Sequence, residues 1–441
     1  MKAYRSAAVG TGSAILCRLL GGTLPAPSAP LVGFAIAAAL AMGGGVPGAF
    51  AAAADSTASA ARDSAAVPPR DIIDVLSGLL GRKRVEPELE VNPGNMRGLS
   101  LTLLPSIGYN PSQGVFFGVS ASAGGALGDP RTTTPSTGSA GVSYSTNQQL
   151  SVQVRSDFYL PDNKYALKGD WRYLDTNQPT YGLGPATSAQ RRSPMDFKLY
   201  RLYQTGYWHV PNTLFYAGLG YHFDQWDEIV ETDFPPGTPT DYRLYSGGAV
   251  TRSVASGISL NVLYDTRDNP LNAHKGSFWN ASLRGYLPAF GSDDTWQALF
   301  SDFRTYPSLP VGSRNTLAIW NYVWFTFGQP PYLSLPAIGW DTYGRSGRGW
   351  LQGRIRGRDQ IYTECEYRVS LRRDGLLGAV VFMNLMATTI PEQGNFGLLD
   401  PGMGGGLRLK FNKHSDTNLA VDMAWDEFRV SHVFMGLQEV F

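Results

Sequence analysis

Cysteine is nearly missing from this 441-residue chain, with two in all, Cys17 and Cys365. With Cys17 in the leader read below, one thiol remains. That excludes a disulfide framework and a cysteine-based zinc site, and a lone Cys in a strand pattern reads as a small apolar filler. Charge is also scarce: 17% of residues are Asp, Glu, Lys or Arg, against about 25% in ordinary soluble domains. The net charge of +1 and the absence of basic blocks argue against a nucleic-acid partner. After residue 54 no apolar run reaches the roughly 20 residues of a membrane helix. The five histidines, His209, His222, His274, His414 and His432, are scattered without metal-ligand spacing. No G-x-S-x-G elbow is present. The glycine run at 402–406 lacks the Lys-Ser/Thr of a phosphate loop. The expectation is therefore a protein that is not an enzyme and carries no cofactor.

What is abundant is glycine, 51 residues, and aromatic side chains, 12%. Low charge combined with a mean hydropathy of only −0.16 suits a transmembrane β-barrel, whose strands alternate lipid-facing and lumen-facing residues so that hydropathy averages out.

The N-terminus reads as a secretory signal over 1–54. Lys2, Arg5 and Arg18 precede an apolar stretch at 31–42, and Ala49-Phe50-Ala51 resembles a cleavage site. An Ala/Ser/Pro-rich linker follows within 55–96. Inside it, apolar residues at 72, 75, 76, 79 and 80 predict a short amphipathic helix over 71–84, with Asp71 as its N-cap. That helix either rests on the barrel rim or membrane surface or plugs the lumen, and the reading leans to the lumen.

From 97 to 441 the chain divides into sixteen candidate strands, the first at 99–107 and the last at 431–441, an even number as single-chain bacterial barrels require. The long connections, 175–196, 226–251, 328–359 and 388–401, all follow odd-numbered strands. Short ones, such as 160–163, 211–213 and 373–375, follow even-numbered strands. Long loops outside and short turns in the periplasm is the asymmetry such barrels show. Alternation places Tyr362, Glu364, Glu366 and Arg368 on one face and Ile361, Thr363, Cys365 and Tyr367 on the other. A charge on the lipid face costs roughly 2–4 kcal/mol near the midplane, so the charged face lines the lumen. The predicted fold class is an all-β transmembrane barrel of 16 antiparallel strands closed between first and last, in the outer membrane of a Gram-negative-type bacterium.

Three segments resemble the BamA/TamA outer-membrane assembly superfamily, the bacterial surface antigen family. Asp265, Arg267, Asp268, Asn269, Pro270 and Gly276 match its D-x-R-D-N-P strand-turn followed by glycine. Gly347-Arg348-Gly349-Trp350, then Glu364 and Glu366-Tyr367-Arg368, resembles its V-R-G-F/Y loop and next strand, here between strands 11 and 12, which is loop six. Gly436 and Phe441 resemble its closing strand signal, with Glu439 where an apolar residue is usual. Gly347 replaces an apolar residue, Trp350 replaces Phe or Tyr, and Asn384 stands where the family carries Asp.

The resemblance implies that loop six folds into the lumen, with Arg348 pairing with Glu366 or Glu364 and Asn384 as a neutral partner nearby. It also implies that Phe441 serves recognition of the last strand by the outer-membrane assembly machinery. Further partners are the lipid bilayer and client proteins or a separate soluble partner. The segment 55–96 is too short for the family's polypeptide-transport-associated domain, so a barrel-only member is expected. Two functions follow: membrane insertion or translocation of protein through a lateral seam, or a passive gated channel or lipid/solute conduit.

Overall fold

Strict alternation of side chains is what closes this chain into a barrel. A computed structural model describes residues 68–81 and 100–441, apart from 130, 187–188, 236, 311–314, 391–393, 399–400, 414–415, 426–430 and 438. The leader and most of the linker read from the sequence lie outside the described residues. The strands are β1 (Ser100–Asn110), β2 (Gly114–Gly125), β3 (Ser136–Ser145), β4 (Leu150–Tyr159), β5 (Tyr165–Asn177), β6 (Met195–His209), β7 (Phe215–Glu231), β8 (Ser253–Asp265), β9 (Gly276–Tyr286), β10 (Trp296–Tyr306), β11 (Thr316–Gly328), β12 (Asp359–Ser370), β13 (Leu377–Thr389), β14 (Phe396–Leu398), β15 (Gly402–Asn412), β16 (Thr417–Trp425) and β17 (Ser431–Leu437).

Each barrel strand pairs antiparallel with its chain neighbours, and β1 meets β17, so the sheet closes. The barrel has sixteen strands. The extra one, β14, is a three-residue strand paired at the end of β13 through Ala387↔Leu398 to Thr389↔Phe396. It lies in the 388–401 connection, where the sequence pattern predicts a loop.

In β12, Tyr362, Glu364 and Glu366 are buried while Cys365 is exposed on the opposite face. In β15 and β16, Arg408 and Asp422 are buried while Leu407, Val421 and Met423 are exposed. Leu103, Ile107, Phe117, Val119, Leu219, Leu260 and Val381 extend this apolar outer wall around the sheet. No helix among the described residues is long and apolar enough to cross a membrane. The strands supply the lipid-facing surface.

The interior is filled rather than open. Trp320, Tyr322, Tyr362, Met386 and Phe300 from the wall pack with Ile338, Trp350 and Ile355. These last three belong to loop six, the β11–β12 connection at 329–358.

Helix α1 (Ile72–Leu79) is shorter than the predicted span and does not enter the lumen. Asp71 and Asp74 form a capping box, each side chain accepting from the other's main-chain nitrogen at 3.0 Å. The same Asp71 carboxylate accepts from the main chain of Lys413 at 3.1 Å, and the Arg70 amide donates to the Asp374 carbonyl at 3.0 Å. Both contacts are to short turns, so the helix sits at the rim of the turn end. The lumen reading fails because these contacts hold the helix to the turns, and because the helix buries no residue of its own.

Candidate functional site

Strand β12 presents alternate polar residues to the lumen, and loop six lays an arginine across them. Arg348 Nε lies 3.0 Å from Glu364 Oε1, and Nη1 lies 3.0 Å from Asp422 Oδ2. Nη2 donates to both Glu364 and Glu366. The guanidinium also rests on the Phe382 ring, 3.5 Å from its centroid. The side chain is only 3% exposed, and Glu364 is fully buried. A planar fork with five donors is the one side chain able to hold three carboxylates in one plane.

Two further arginines extend the network. Arg368 donates to Glu366 at 2.6 Å, and Arg408 bridges Asp422 and Glu439, reaching Glu439 Oε2 at 2.7 Å. Buried charges at this density persist only when paired and hydrogen-bonded. Tyr362 donates to Glu364 and so occupies the remaining carboxylate oxygen.

Glycines make room for the loop. Gly349 has φ +102°, a conformation that favours glycine, and a Cβ there would stand 3.0 Å from the Trp425 carbonyl oxygen, so the loop lies tightly against β16. On β15, a Cβ at Gly402 would meet Asn384 Oδ1 at 2.7 Å and Trp350 Nε1 at 3.0 Å, and one at Gly406 would meet Asp422 Oδ1 at 1.9 Å. The departures from the family pattern also find a physical reason here. Gly347 has φ +79°, and Ile338 Cγ1 lies 2.1 Å from where its Cβ would be, so Ile338 fills the space of the missing apolar side chain. Asn384 donates from Nδ2 to the Arg348 carbonyl oxygen at 2.9 Å. An ionised Asp has no proton for that bond, so the amide holds the loop's backbone rather than its charge.

The strand-turn motif after β8 is built by its own side chains. Asp265 forks onto Arg267 at 2.9 and 2.7 Å, and Arg267 covers the Phe278 ring. Asp268 Oδ1 accepts from the main chains of Asn269, His274 and Lys275. Asn269 Oδ1 accepts from Leu271 at 2.8 Å, and the Pro270 carbonyl accepts from Arg267 at 3.5 Å. Gly276, at φ +92°, closes the turn where a Cβ would lie 2.1 Å from the Thr266 carbonyl oxygen.

The turn tucks under the barrel. Asn272 and Ala273 are buried, and their oxygens accept from Arg368 at 3.3 and 3.1 Å. It is stitched to the β15–β16 turn through Asp416, which accepts from Asn272 Nδ2 at 3.0 Å and contacts His274 Nε2 at 2.9 Å and the Lys410 ammonium. Burial pushes the Asp416 carboxyl up, but the hydrogen bonds from His274 and Lys410 outweigh it and hold the group below its ordinary value.

The closing segment differs from its sequence reading. Gly436 lies in β17, opposite Ala420 of β16. The strand stops at Leu437, however, and Phe441 turns into the lumen, 4% exposed, against Trp320 at 5.3 Å between ring centroids. The lumenal arginines account for this. Glu439 is held by Arg408 and by Asn418 Nδ2 at 2.6 Å, and the main-chain oxygen of Phe441 accepts from Arg368 at 2.6 Å. The seam is correspondingly thin. β1 and β2 register continuously from Ser100↔Gly124 to Asn110↔Gly114, whereas among the described residues β1 and β17 register at Tyr109↔Met435 alone.

The structure thus brings Arg348, Gly349, Trp350, Glu364, Glu366 and Asn384 together and keeps the β8–β9 turn one arginine away. Sequence reasoning placed Arg408 in the lumen around loop six but missed Asp422, Glu439 and Arg345 as members of the site. The inward parity of Asp422 was visible, but β16 comes next to loop six only when the sheet closes, and Glu439 lies beyond the end of β17.

No family model matches the chain, and no curated protein matches it. Among solved structures, BamA from Haemophilus ducreyi lacking POTRA domains 1–3 is similar with a TM-score of 0.52 at 16% identity, over 77% of this chain and 70% of that one. CdiB from Acinetobacter baumannii and CdiB from Escherichia coli are similar with TM-scores of 0.47 and 0.48 at 11% and 13% identity, each over 77% of this chain. The chain covers 65% and 62% of those two proteins, just under two thirds of each. At these identities the likeness is one of fold.

Proposed function

We propose that this chain is an outer-membrane barrel of a Gram-negative bacterium that assists insertion or translocation of protein through the seam between β1 and β17, with no catalytic role. The observation that supports it most is the seam itself, where continuous ladders elsewhere give way to the single register Tyr109↔Met435. Among the described residues, most of β1 therefore has no registered partner in β17. Such an edge templates an incoming strand by β-augmentation. The lumenal lock supports the same reading: a barrel whose interior is pinned by loop six keeps its wall round while one seam parts. The partners on this reading are outer-membrane lipids, the assembly machinery for its own insertion, and an unfolded client or a soluble protein that delivers it. The competing role, a passive gated conduit, requires loop six to leave a lumen packed by Trp350, Ile338 and Ile355.

The test is a reversible lock. In a Cys365→Ser background, Tyr109→Cys and Met435→Cys place two thiols across the seam. Proteoliposomes holding this variant receive a urea-unfolded eight-stranded outer-membrane barrel, and its folding is read by heat-modifiable mobility and protease protection. The reduced variant speeds insertion over empty vesicles, and oxidation abolishes the gain. Equal rates in oxidised and reduced vesicles overturn the seam mechanism. Ion conductance in the oxidised state that matches the reduced state and exceeds empty vesicles favours the conduit.

A further inference from the structure

Residues 439–441 are held in an unusual manner for the end of a barrel strand. Their groups engage side chains drawn from five other elements. Glu439 receives Arg408 Nε of β15 at 2.7 Å and Asn418 Nδ2 of β16 at 2.6 Å. The main-chain oxygens of Glu439 and Val440 accept from Arg345 of loop six, the latter at 3.2 Å. The main-chain oxygen of Phe441 accepts from Arg368 of β12 at 2.6 Å. The Phe441 ring packs on Trp320 of β11 in the cluster that also holds Tyr306, with Ala273 and Ala318 at its edge. A carboxylate clamp, donors to main-chain oxygens and an aromatic pocket are the parts of a peptide-binding site: polar anchors fix direction and an apolar pocket takes the side chain. Arg408 and Arg368 are themselves buried and oriented by Asp422 and Glu366, so the site is preorganised by the wall rather than by its occupant.

We propose that this lumenal cradle is a peptide-binding site for an extended segment bearing a carboxylate and, two residues later, an aromatic ring, and that Glu439–Val440–Phe441 occupies it as a built-in, displaceable ligand. Release of the occupant does two things together: it removes the contacts of Arg345 in loop six to the main-chain oxygens of Glu439 and Val440, and it frees the chain immediately after β17 at the seam. The site does not depend on the insertion role, since the cradle binds a peptide whether or not the seam parts.

The experiment uses the full barrel in detergent micelles. The double variant Glu439→Ala/Phe441→Ala removes the carboxylate and the ring from the cradle without changing chain length. A fluorescein-labelled peptide with the sequence of residues 436–441, Gly-Leu-Gln-Glu-Val-Phe, is titrated and followed by anisotropy. The emptied variant binds it saturably, and wild type, with its site filled, binds it at least about tenfold more weakly. Peptides with Gln for Glu, or Ala for Phe, each lose about tenfold, the scale of one charge-assisted hydrogen bond or one buried ring. Absence of saturable binding to the folded, emptied variant overturns the proposal, as does equal binding of the three peptides. Should the double variant fail to fold, Phe441→Ala alone takes its place, with the parent and the Ala-for-Phe peptides; absence of saturable binding, or equal binding of these two, overturns the proposal.

Discussion

Removing Arg348 tests the lock most directly. Among the described residues it is the one cation paired with Glu364, whereas Glu366 keeps Arg368 at 2.6 Å and Asp422 keeps Arg408. In Arg348→Ala, Glu364 is left fully buried with the Tyr362 hydroxyl as its remaining partner. Stripping one partner from a buried ion pair costs about 3–5 kcal/mol, because the abandoned charge stays desolvated. Protonating a glutamate of ordinary acidity at pH 7 to escape that costs about 3–4 kcal/mol, so neutralisation leaves a loss of the same size. Each 1.4 kcal/mol is tenfold in an equilibrium constant, and the loss is therefore more than a hundredfold.

The assay is urea unfolding in micelles, followed by heat-modifiable mobility and tryptophan emission, with limited proteolysis of 329–358 alongside. The expected result is a lower midpoint and new cleavage in loop six. The control is Arg348→Ala/Glu364→Gln. The neutral amide removes the uncompensated charge, so the double variant recovers most of the loss, and the two changes are strongly non-additive. Arg348→Lys does not substitute, since an ammonium cannot span three carboxylates with fork geometry. The reasoning is refuted if Arg348→Ala unfolds at the wild-type midpoint, or if adding Glu364→Gln lowers stability further by its own separate amount.

Two further outcomes follow from other parts of the site. Gly406→Ala drives a methyl to 1.9 Å from Asp422 Oδ1 and 2.6 Å from the Val421 carbonyl oxygen, whereas the nearest atom to a Cβ at the neighbouring Gly405 is a carbonyl oxygen at 3.1 Å. Overpacking of this kind costs about 1–3 kcal/mol, so Gly406→Ala lowers the unfolding midpoint clearly more than Gly405→Ala, and equal midpoints refute the close approach. Asp416, held below its ordinary value, contributes stability that is fully present above the unfolded carboxylate range near pH 4 and is lost as pH falls through its lower folded value. The stability gap between wild type and Asp416→Asn is therefore open at pH 6–7 and closes in strong acid, and a gap that widens on acidification contradicts the junction with His274 and Lys410.

Much of the architecture was legible because a barrel strand repeats every two residues and a strand's two faces meet solvents of opposite kind. Glu364 and Glu366 fall on the lumenal face by parity alone, and Leu407 and Val421 on the outer one. Turn signals between alternating stretches give the strand count, and the long-loop, short-turn asymmetry agrees with it except at 125–137. The Arg348 pairing was narrowed to two carboxylates on β12, and Asp422 joins them because closure brings β16 beside loop six. The chemistry of single positions also needed three dimensions: Asn384 serves a carbonyl rather than a guanidinium, and Gly347 yields its space to Ile338.

Short-range pattern, periodicity two and turn chemistry, thus determined by itself that this chain forms a sixteen-strand barrel with a charged lumen, since each depends on neighbours in sequence. Tertiary structure alone decided where the ends go. Helix α1 stays on the rim because Asp71 and Arg70 are held by the distant β15–β16 and β12–β13 turns. Phe441 leaves the strand because buried arginines, contributed by distant strands, hold the oxygens of the segment that carries it. Neither set of contacts is between sequence neighbours, so neither could be read along the chain.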